Sequence, residues 1–306
     1  MYERSEDMKL AVGSVSAYPN NLSVCCLESK NITYACVVHK TQVHIVNWDN
    51  KNESVIWDSI SILDTTTDKP VDALQAALVL PNIRTYPLLV VGTTSGAQIF
   101  DIRTLKLLHQ ESVSSGRIIQ FLCSGETSIS TKKCLKEHAA SIADIATCRH
   151  EEITCSGDCS GIIIVWNKSF KGVQLKIATQ HPITAVNVLH KHVIVGTLRG
   201  RVLFFSISGG ELMAEVFAHA RSVTCISVAS ENACVLTGSE DGRFTVFKLQ
   251  TTNAQAFQVE YQYCDELSNC AIMGGQFTNS HGSNIVVACF DRNILYRYHI
   301  VEKTNT

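Results

Sequence analysis

The chain has 306 residues, of which 45% are hydrophobic and 18% charged, and its net charge is −2 at neutral pH. That balance gives a large core and no basic face for nucleic acid. No apolar run reaches the ~18 residues of a membrane span. The charged start, residues 1–9, lacks the apolar stretch of a secretory leader, so a cytoplasmic chain is expected, with the sequons at Asn21, Asn31, Asn52 and Asn167 unused.

The 13 cysteines include no Cys-x-x-Cys pair. Cys25 and Cys26 are adjacent, and Cys155 and Cys159 flank a tight turn. Cys36, Cys148, Cys225, Cys234 and Cys289 fall inside apolar strand patterns. Reduced structural thiols are expected, with no metal and no cofactor.

In chain order, residues 1–8 read as a flexible extension and 9–301 as a single domain, followed by a flexible tail at 302–306. Residues 22–27, 32–39, 43–48 and 54–60 fit four strands. Residues 71–80 are rich in Ala and Leu, but their place in the repeat makes them a strand. A Gly-x-x-x-Gly turn then recurs, as Gly92 and Gly96, Gly157 and Gly161, Gly196 and Gly200, and Gly238 and Gly242. An apolar stretch precedes each turn, and another follows it, ending in Phe100, Trp166, Phe205 or Phe247. This is strand, tight turn, strand, the second Gly supplying the positive φ of the turn. Residues 183–189 and 223–228 read as inner strands and 211–217 as an outer one. Residues 270–277, 284–290 and 294–300 give three strands of a last unit, and 9–16 would supply the fourth, removing an open edge.

Two units match position by position. His138 precedes Gly161 by 23 residues and Trp166 by 28; His219 precedes Gly242 and Phe247 by the same intervals. Four antiparallel strands repeating every ~40 residues make a propeller blade. The fold expected is an all-β propeller, nominally seven-bladed with a truncated third blade. Its second glycines lie 39 and 42 residues apart from Gly161 to Gly200 to Gly242, but 65 apart from Gly96 to Gly161. Inside that interval, Gly116 follows Gly96 by only 20 residues, too few for an inner strand pair. A defect is expected at 108–136, with a missing coding segment, through splicing or a gene-model error, as its origin.

The His-to-aromatic unit with Gly238-Ser-Glu-Asp-Gly242 resembles the WD-repeat propellers, and the resemblance covers nearly the whole chain. One branch of that family is resembled more narrowly, through residues 20–24, 31–34, 37–39, 115–117, 141–146, 219–223 and 229–231. The resemblance implies a non-enzymatic scaffold that binds other proteins and self-associates, cytoplasmic and vesicle-associated. It also implies a hydrogen-bonded structural relay in each matched unit: His138, Ser156, Asp158 and Trp166, then His219, Thr237 and Asp241. Both copies depart from the family pattern, since Asp158 stands three residues before its Gly and Phe247 replaces a Trp. The pairs Trp48-Asp49 and Trp57-Asp58 lie in the divergent first blade, and at least one is coincidental.

Interaction residues are expected where turns and interblade loops converge: Lys136, Arg199, His219, Arg221, Glu240 and Asp241. Phe100, Asp101 and Arg103 resemble the box by which some WD-repeat proteins dock on a cullin ubiquitin-ligase adaptor, so a substrate receptor is the alternative function. Ser160 does not mark a protease: its turn counterparts are Ser95, Arg199 and Asp241, so the turn requires its glycines and not a nucleophile. His190 and His192 fill a short turn with no third metal ligand nearby in sequence.

Overall fold

A computed structural model describes the chain except residues 12, 52–53, 66, 113–117, 124–127, 149–150, 168–171, 251–256 and 302–306. The expected tail and Gly116 therefore lie outside the described residues. The first strands, β1 (Tyr2–Arg4) and β2 (Met8–Lys9), belong to the last blade. Blade 1 holds β3 (Ser23–Leu27), β4 (Ile32–His39), β5 (Gln42–Asp49) and β6 (Val55–Ser61). Blade 2 holds β7 (Ala73–Val79), β8 (Leu88–Thr93), β9 (Gly96–Asp101) and β10 (Leu107–Ser112). A two-stranded ribbon follows, β11 (Ile118–Cys123) and β12 (Ile129–Leu135). Blade 3 holds β13 (Ile142–Cys148), β14 (Ile153–Asp158), β15 (Ile162–Trp166) and β16 (Val173–Ala178). Blade 4 holds β17 (Ile183–Leu189), β18 (His192–Thr197), β19 (Arg201–Ser206) and β20 (Leu212–Phe217). Blade 5 holds β21 (Val223–Ala229), β22 (Cys234–Ser239), β23 (Arg243–Gln250) and β24 (Gln258–Glu266). Blade 6 holds β25 (Ile272–Phe277), β26 (Asn284–Cys289) and β27 (Ile294–Ile300). Within each blade, chain neighbours pair antiparallel. No helix among the described residues is long and apolar enough to cross a membrane.

The architecture is a six-bladed propeller, which corrects the expectation of seven blades with a truncated third. The segment expected to form that remnant is a separate hairpin, with Ile118 opposite Leu135 and Cys123 opposite Ile129. Two strands have no inner pair with which to bury a blade's apolar faces. The ribbon lies beside β10, where Thr131 Oγ1 donates to Glu111 Oε2 at 2.5 Å. At its far end Leu135 packs against Ile164 and Trp166 of blade 3.

The blades are held to one another by side chains of the inner strands. Asp144 on β13 accepts from the Val186 N–H at 2.8 Å, and Asn187 Nδ2 donates to the Ile226 carbonyl at 2.8 Å. Thr224 Oγ1 donates to the Ile272 carbonyl at 2.6 Å, and Gln276 Oε1 accepts from the Val24 N–H at 2.7 Å. Ser23 Oγ accepts from the Leu78 N–H at 2.9 Å. These bonds tie blade 3 to 4, 4 to 5, 5 to 6, 6 to 1 and 1 to 2, around a central channel of about 600 Å³.

Apolar contacts follow the same series. A Cβ at Gly157 would meet Val186 Cγ2 at 2.7 Å; at Gly196, Val223 Cγ1 at 2.6 Å; at Gly238, Ile272 Cγ2 at 2.8 Å. The first glycine of each turn thus lets the next blade's inner strand approach. Gly92 is different: its nearest neighbour would be the Gln75 carbonyl oxygen of its own blade, at 3.8 Å. On the next blade's inner strand β13, Ile145 is 44% exposed, while the matching Val186 and Ile226 are 2% and 5% exposed. The blade 2–blade 3 interface is therefore open at this level. Gly196→Ala is expected to lower stability by about 1–3 kcal/mol through overpacking. Gly92→Ala should stay within about 0.5 kcal/mol of the parent, as surface changes do. Urea denaturation of the two variants checks the contrast, and equal losses would contradict it.

The expected flexible extension at 1–8 is also corrected. β1 and β2 both pair antiparallel with β27, Tyr2 opposite Ile300 and Met8 opposite Leu295. They form one interrupted outer strand, in place of the strand expected at 9–16. Burial of Tyr2, Met8 and Leu10 holds it there, and the Tyr2 hydroxyl donates to the Gly282 carbonyl.

Candidate interaction rim

The turns between the second and third strands of each blade share one rim of the ring with the interblade loops. Their second residue closes each turn from within. Thr93 Oγ1 accepts from the Gly96 N–H at 3.0 Å, and Thr197 Oγ1 from the Arg201 N–H at 3.0 Å. Ser239 Oγ accepts from the Asp241 N–H at 3.1 Å. Asp158 fills this place in blade 3, its Oδ1 accepting from the Ser160 and Ile162 N–H groups at 3.0 Å. The fifth residue is left-handed, with φ of +77° at Gly200 and +84° at Gly242. Only the third and fourth positions are free to face outward.

Asp158 also completes the first relay. Trp166 Nε1 donates to Ser156 Oγ at 2.9 Å, and Ser156 lies 2.7 Å from His138 Nε2. His138 Nδ1 lies 2.8 Å from Asp158 Oδ2. A neutral ring protonated on Nδ1 satisfies every member, a tautomer assigned from the network. Burial works to raise the Asp158 carboxyl, but Ser160, the Ile162 N–H and His138 outweigh it and hold it below its ordinary range. All four side chains are buried, so the set fastens the blade and offers no surface for substrate.

The second relay is looser. His219 Nε2 lies 2.9 Å from Thr237 Oγ1. Its Nδ1 stands 3.3 Å from Asp241 Oδ2 but out of line for a hydrogen bond, leaving an electrostatic contact. Phe247 brings no N–H to this cluster. Burial opposes ionisation of Asp241, yet His219 and the N–H groups of Ala220 and Arg243 bring its pKa down to about 2.

These contacts sort the expected interaction residues. Lys136 and Arg199 are exposed. Arg221 is 68% exposed at its side chain, with Nε 3.8 Å from Glu240 Oε2, a solvated pair of little energetic weight. His219 and Asp241 turn inward and are corrected as surface residues. The rim also exposes apolar Leu198, 55% exposed beside Arg199, which the sequence reading did not single out. Its signal was an apolar residue where the other turns carry Thr94, Cys159 and Glu240. The backbone oxygens of His219 and Arg221 close over Gly200, so this turn abuts the loop bearing Arg221.

The box residues lie on the opposite rim. Phe100 is buried, and Asp101 is taken up internally: its Oδ2 accepts from Arg84 Nη2 at 2.5 Å. Asp101 Oδ1 accepts from the Arg103 and Thr104 N–H groups, both at 3.0 Å. Arg103 is exposed, its guanidinium 4.7 Å from the Tyr86 ring centre. In blade 1, Asp49 repeats this geometry, accepting from the Lys51 N–H at 2.7 Å. Trp48-Asp49 thus occupies the repeat position, while Trp57-Asp58 lies on the outer strand β6 and is the coincidental pair.

Comparison with known proteins agrees with this geometry. A family model described as WDR54 matches residues 55–301. The chain belongs to the WDR54 family. It is 23% identical to WD repeat-containing protein 54 of Homo sapiens, covering 98% of this chain and 99% of that protein. The Mus musculus counterpart is likewise 23% identical, over 98% and 100%. The human alignment runs to 340 positions while this chain supplies about 300 residues, so about 40 positions, one blade's length, are filled by the human protein alone. A chain in the crystal structure of the mitotic checkpoint complex superposes with a TM-score of 0.74 at 13% identity, covering 98% of this chain and 92% of that one. That likeness concerns the fold.

Proposed function

We propose that this WDR54-family propeller is a non-enzymatic cytoplasmic scaffold that binds protein partners on the rim of blades 4 and 5. The observation carrying this reading is the division of labour at the turns. Buried His, Asp, Ser and Thr side chains are consumed in fastening the blades, while Leu198, Arg199 and Arg221 are left to solvent. Arginines of this kind are enriched among the residues that dominate interface energies. Cys36, Cys155, Cys225, Cys270 and Cys289 are free thiols, which suits a reducing compartment.

Charge reversal tests it. Arg199→Glu combined with Arg221→Glu should reduce recovery of the chain's partners at least tenfold in quantitative affinity purification. Lys191→Glu, on the opposite rim, should leave recovery unchanged. Unchanged binding by the double variant overturns the reading. Recovery of a cullin adaptor that is lost on Arg103→Ala would favour the substrate-receptor alternative instead. Self-association draws support from the exposed Leu212, Met213 and Phe217 on the outer strand β20. Native mass spectrometry showing only monomer at micromolar concentration would remove it.

A further inference from the structure

Two of the free thiols meet. Cys270 lies in the loop between β24 and β25, half-buried, and Cys289 ends β26 at 2% exposure. The backbone brings them together: Ile272 is paired with Cys289, and the Phe290 N–H donates to the Ala271 carbonyl at 2.8 Å. Cys270 packs against the buried cluster that holds Cys289, and its Sγ donates to the Leu267 carbonyl at 3.3 Å. The Arg292 Nη2 donates to the Asn269 carbonyl at 3.3 Å, which fixes the cation at the loop. This is one reachable thiol, a fixed cation beside it, and a second thiol that bulk solvent does not reach.

We propose that Cys270 and Cys289 form a redox couple in which Cys270 is the thiol oxidised by a hydroperoxide and Cys289 resolves it as a disulfide. In the first step the Cys270 thiolate attacks the terminal oxygen of the hydroperoxide. An S–O bond forms and the O–O bond breaks; the sulfur loses two electrons and becomes a sulfenic acid. The peroxide's other oxygen leaves with a proton from solvent, as water or an alcohol. In the second step Cys289 sulfur attacks Cys270 sulfur. The S–S bond forms, the S–O bond breaks, and hydroxide leaves with the Cys289 proton as water. A low-pKa accessible thiol beside a resolving one is the arrangement such chemistry needs.

The surroundings favour this order. The neighbouring Cys289, with Arg292 alongside, outweighs burial and brings Cys270 down to about 7. The adjacent Cys270 and burial push Cys289 up, so it remains a thiol until Cys270 is oxidised. Burial pushes Cys36, Cys155 and Cys225 up to about 12, which leaves them inert. Cys270 also sits on the rim: its carbonyl oxygen and that of Leu267 pack 2.9 Å from where a Cβ of Gly242 would be.

The test uses the reduced full-length chain, treated with one equivalent of hydrogen peroxide, alkylated and digested. Mass spectrometry should find a peptide linking Cys270 to Cys289. In Cys289→Ser, dimedone should label Cys270 as the trapped sulfenic acid. Before oxidation, iodoacetamide should label Cys270 at pH 7 at least tenfold faster than Cys36 or Cys225, with half-maximal rate near pH 7. Absence of the linked peptide from the unsubstituted chain, or a dimedone adduct on Cys159 ahead of Cys270, overturns the proposal. The first of these results requires no substituted chain.

Discussion

Arg84→Ala should destabilise the chain by about 3 kcal/mol, the low end of the cost of breaking a buried ion pair. Arg84 and Asp101 are both almost fully buried at their side chains, with Nη2 2.5 Å from Oδ2. Truncation removes the cation and leaves a carboxylate that water cannot reach. The loss stays at the low end because Asp101 Oδ1 keeps the N–H groups of Arg103 and Thr104 and the Thr104 hydroxyl. Burial works to raise the Asp101 carboxyl, but these donors and Arg84 hold it below its ordinary range. Stability from such a group is present above its unfolded pKa and lost as pH falls through the folded one. The gap between parent and variant should therefore be full at pH 7 and close in acid below the ordinary carboxylate range. Urea denaturation at both pH values measures it. A loss below about 1 kcal/mol at pH 7, the scale of an exposed pair, would show that the pair is not the clasp of blade 2. Arg84→Met with Asp101→Asn should recover much of the loss, since no uncompensated charge remains.

Ser156→Ala should cost about 3 kcal/mol. The Ser156 hydroxyl takes the Trp166 N–H and meets the Nε2 of His138, so its removal deletes two buried hydrogen bonds at once. Each abandoned buried group costs about 1–3 kcal/mol. Thr237→Ala is the internal comparison. Thr237 serves His219, and the facing Phe247 presents no N–H, so the loss there should be about half as large. Thermal melts of both variants decide the matter, and a larger loss in Thr237→Ala would contradict the account of the two relays.

The relay candidates came from the resemblance to WD-repeat blades, and the fixed intervals within each unit showed which residues match that pattern. His138, Ser156, Asp158 and Trp166 meet through a local ladder whose register the Gly turn sets. The strand nature of 71–80 was legible from its place in the repeat, despite its helix-forming composition. Blade number was not. Spacing located the irregularity between Gly96 and Gly161, but whether two strands become part of a blade or a free ribbon depends on packing partners far along the chain. The role of Gly92, Gly157, Gly196 and Gly238 was half visible. A turn glycine was evident, but which one admits a neighbouring blade depends on Val186, Val223 and Ile272, which only the folded ring places. Arg84 carried no signal at all: a single arginine in a loop acquires meaning only when Asp101 folds against it. Tyr2 to Arg4 read as a charged extension because their hydrogen-bonding partners lie at the other end of the chain.

That distance has a consequence for how the protein is made. A ribosome adds about 5–20 residues per second, so the first strand waits about 15–60 seconds for its partner at Tyr298 to Ile300 to be synthesised. Each of blades 1 to 5 contains its own strands in sequence and can form as it emerges. Blade 6 cannot be finished until β27 has been made, so ring closure follows the formation of the other blades. Until then the growing chain carries an unsealed edge at each end, open to chaperones and to neighbouring chains on the same message.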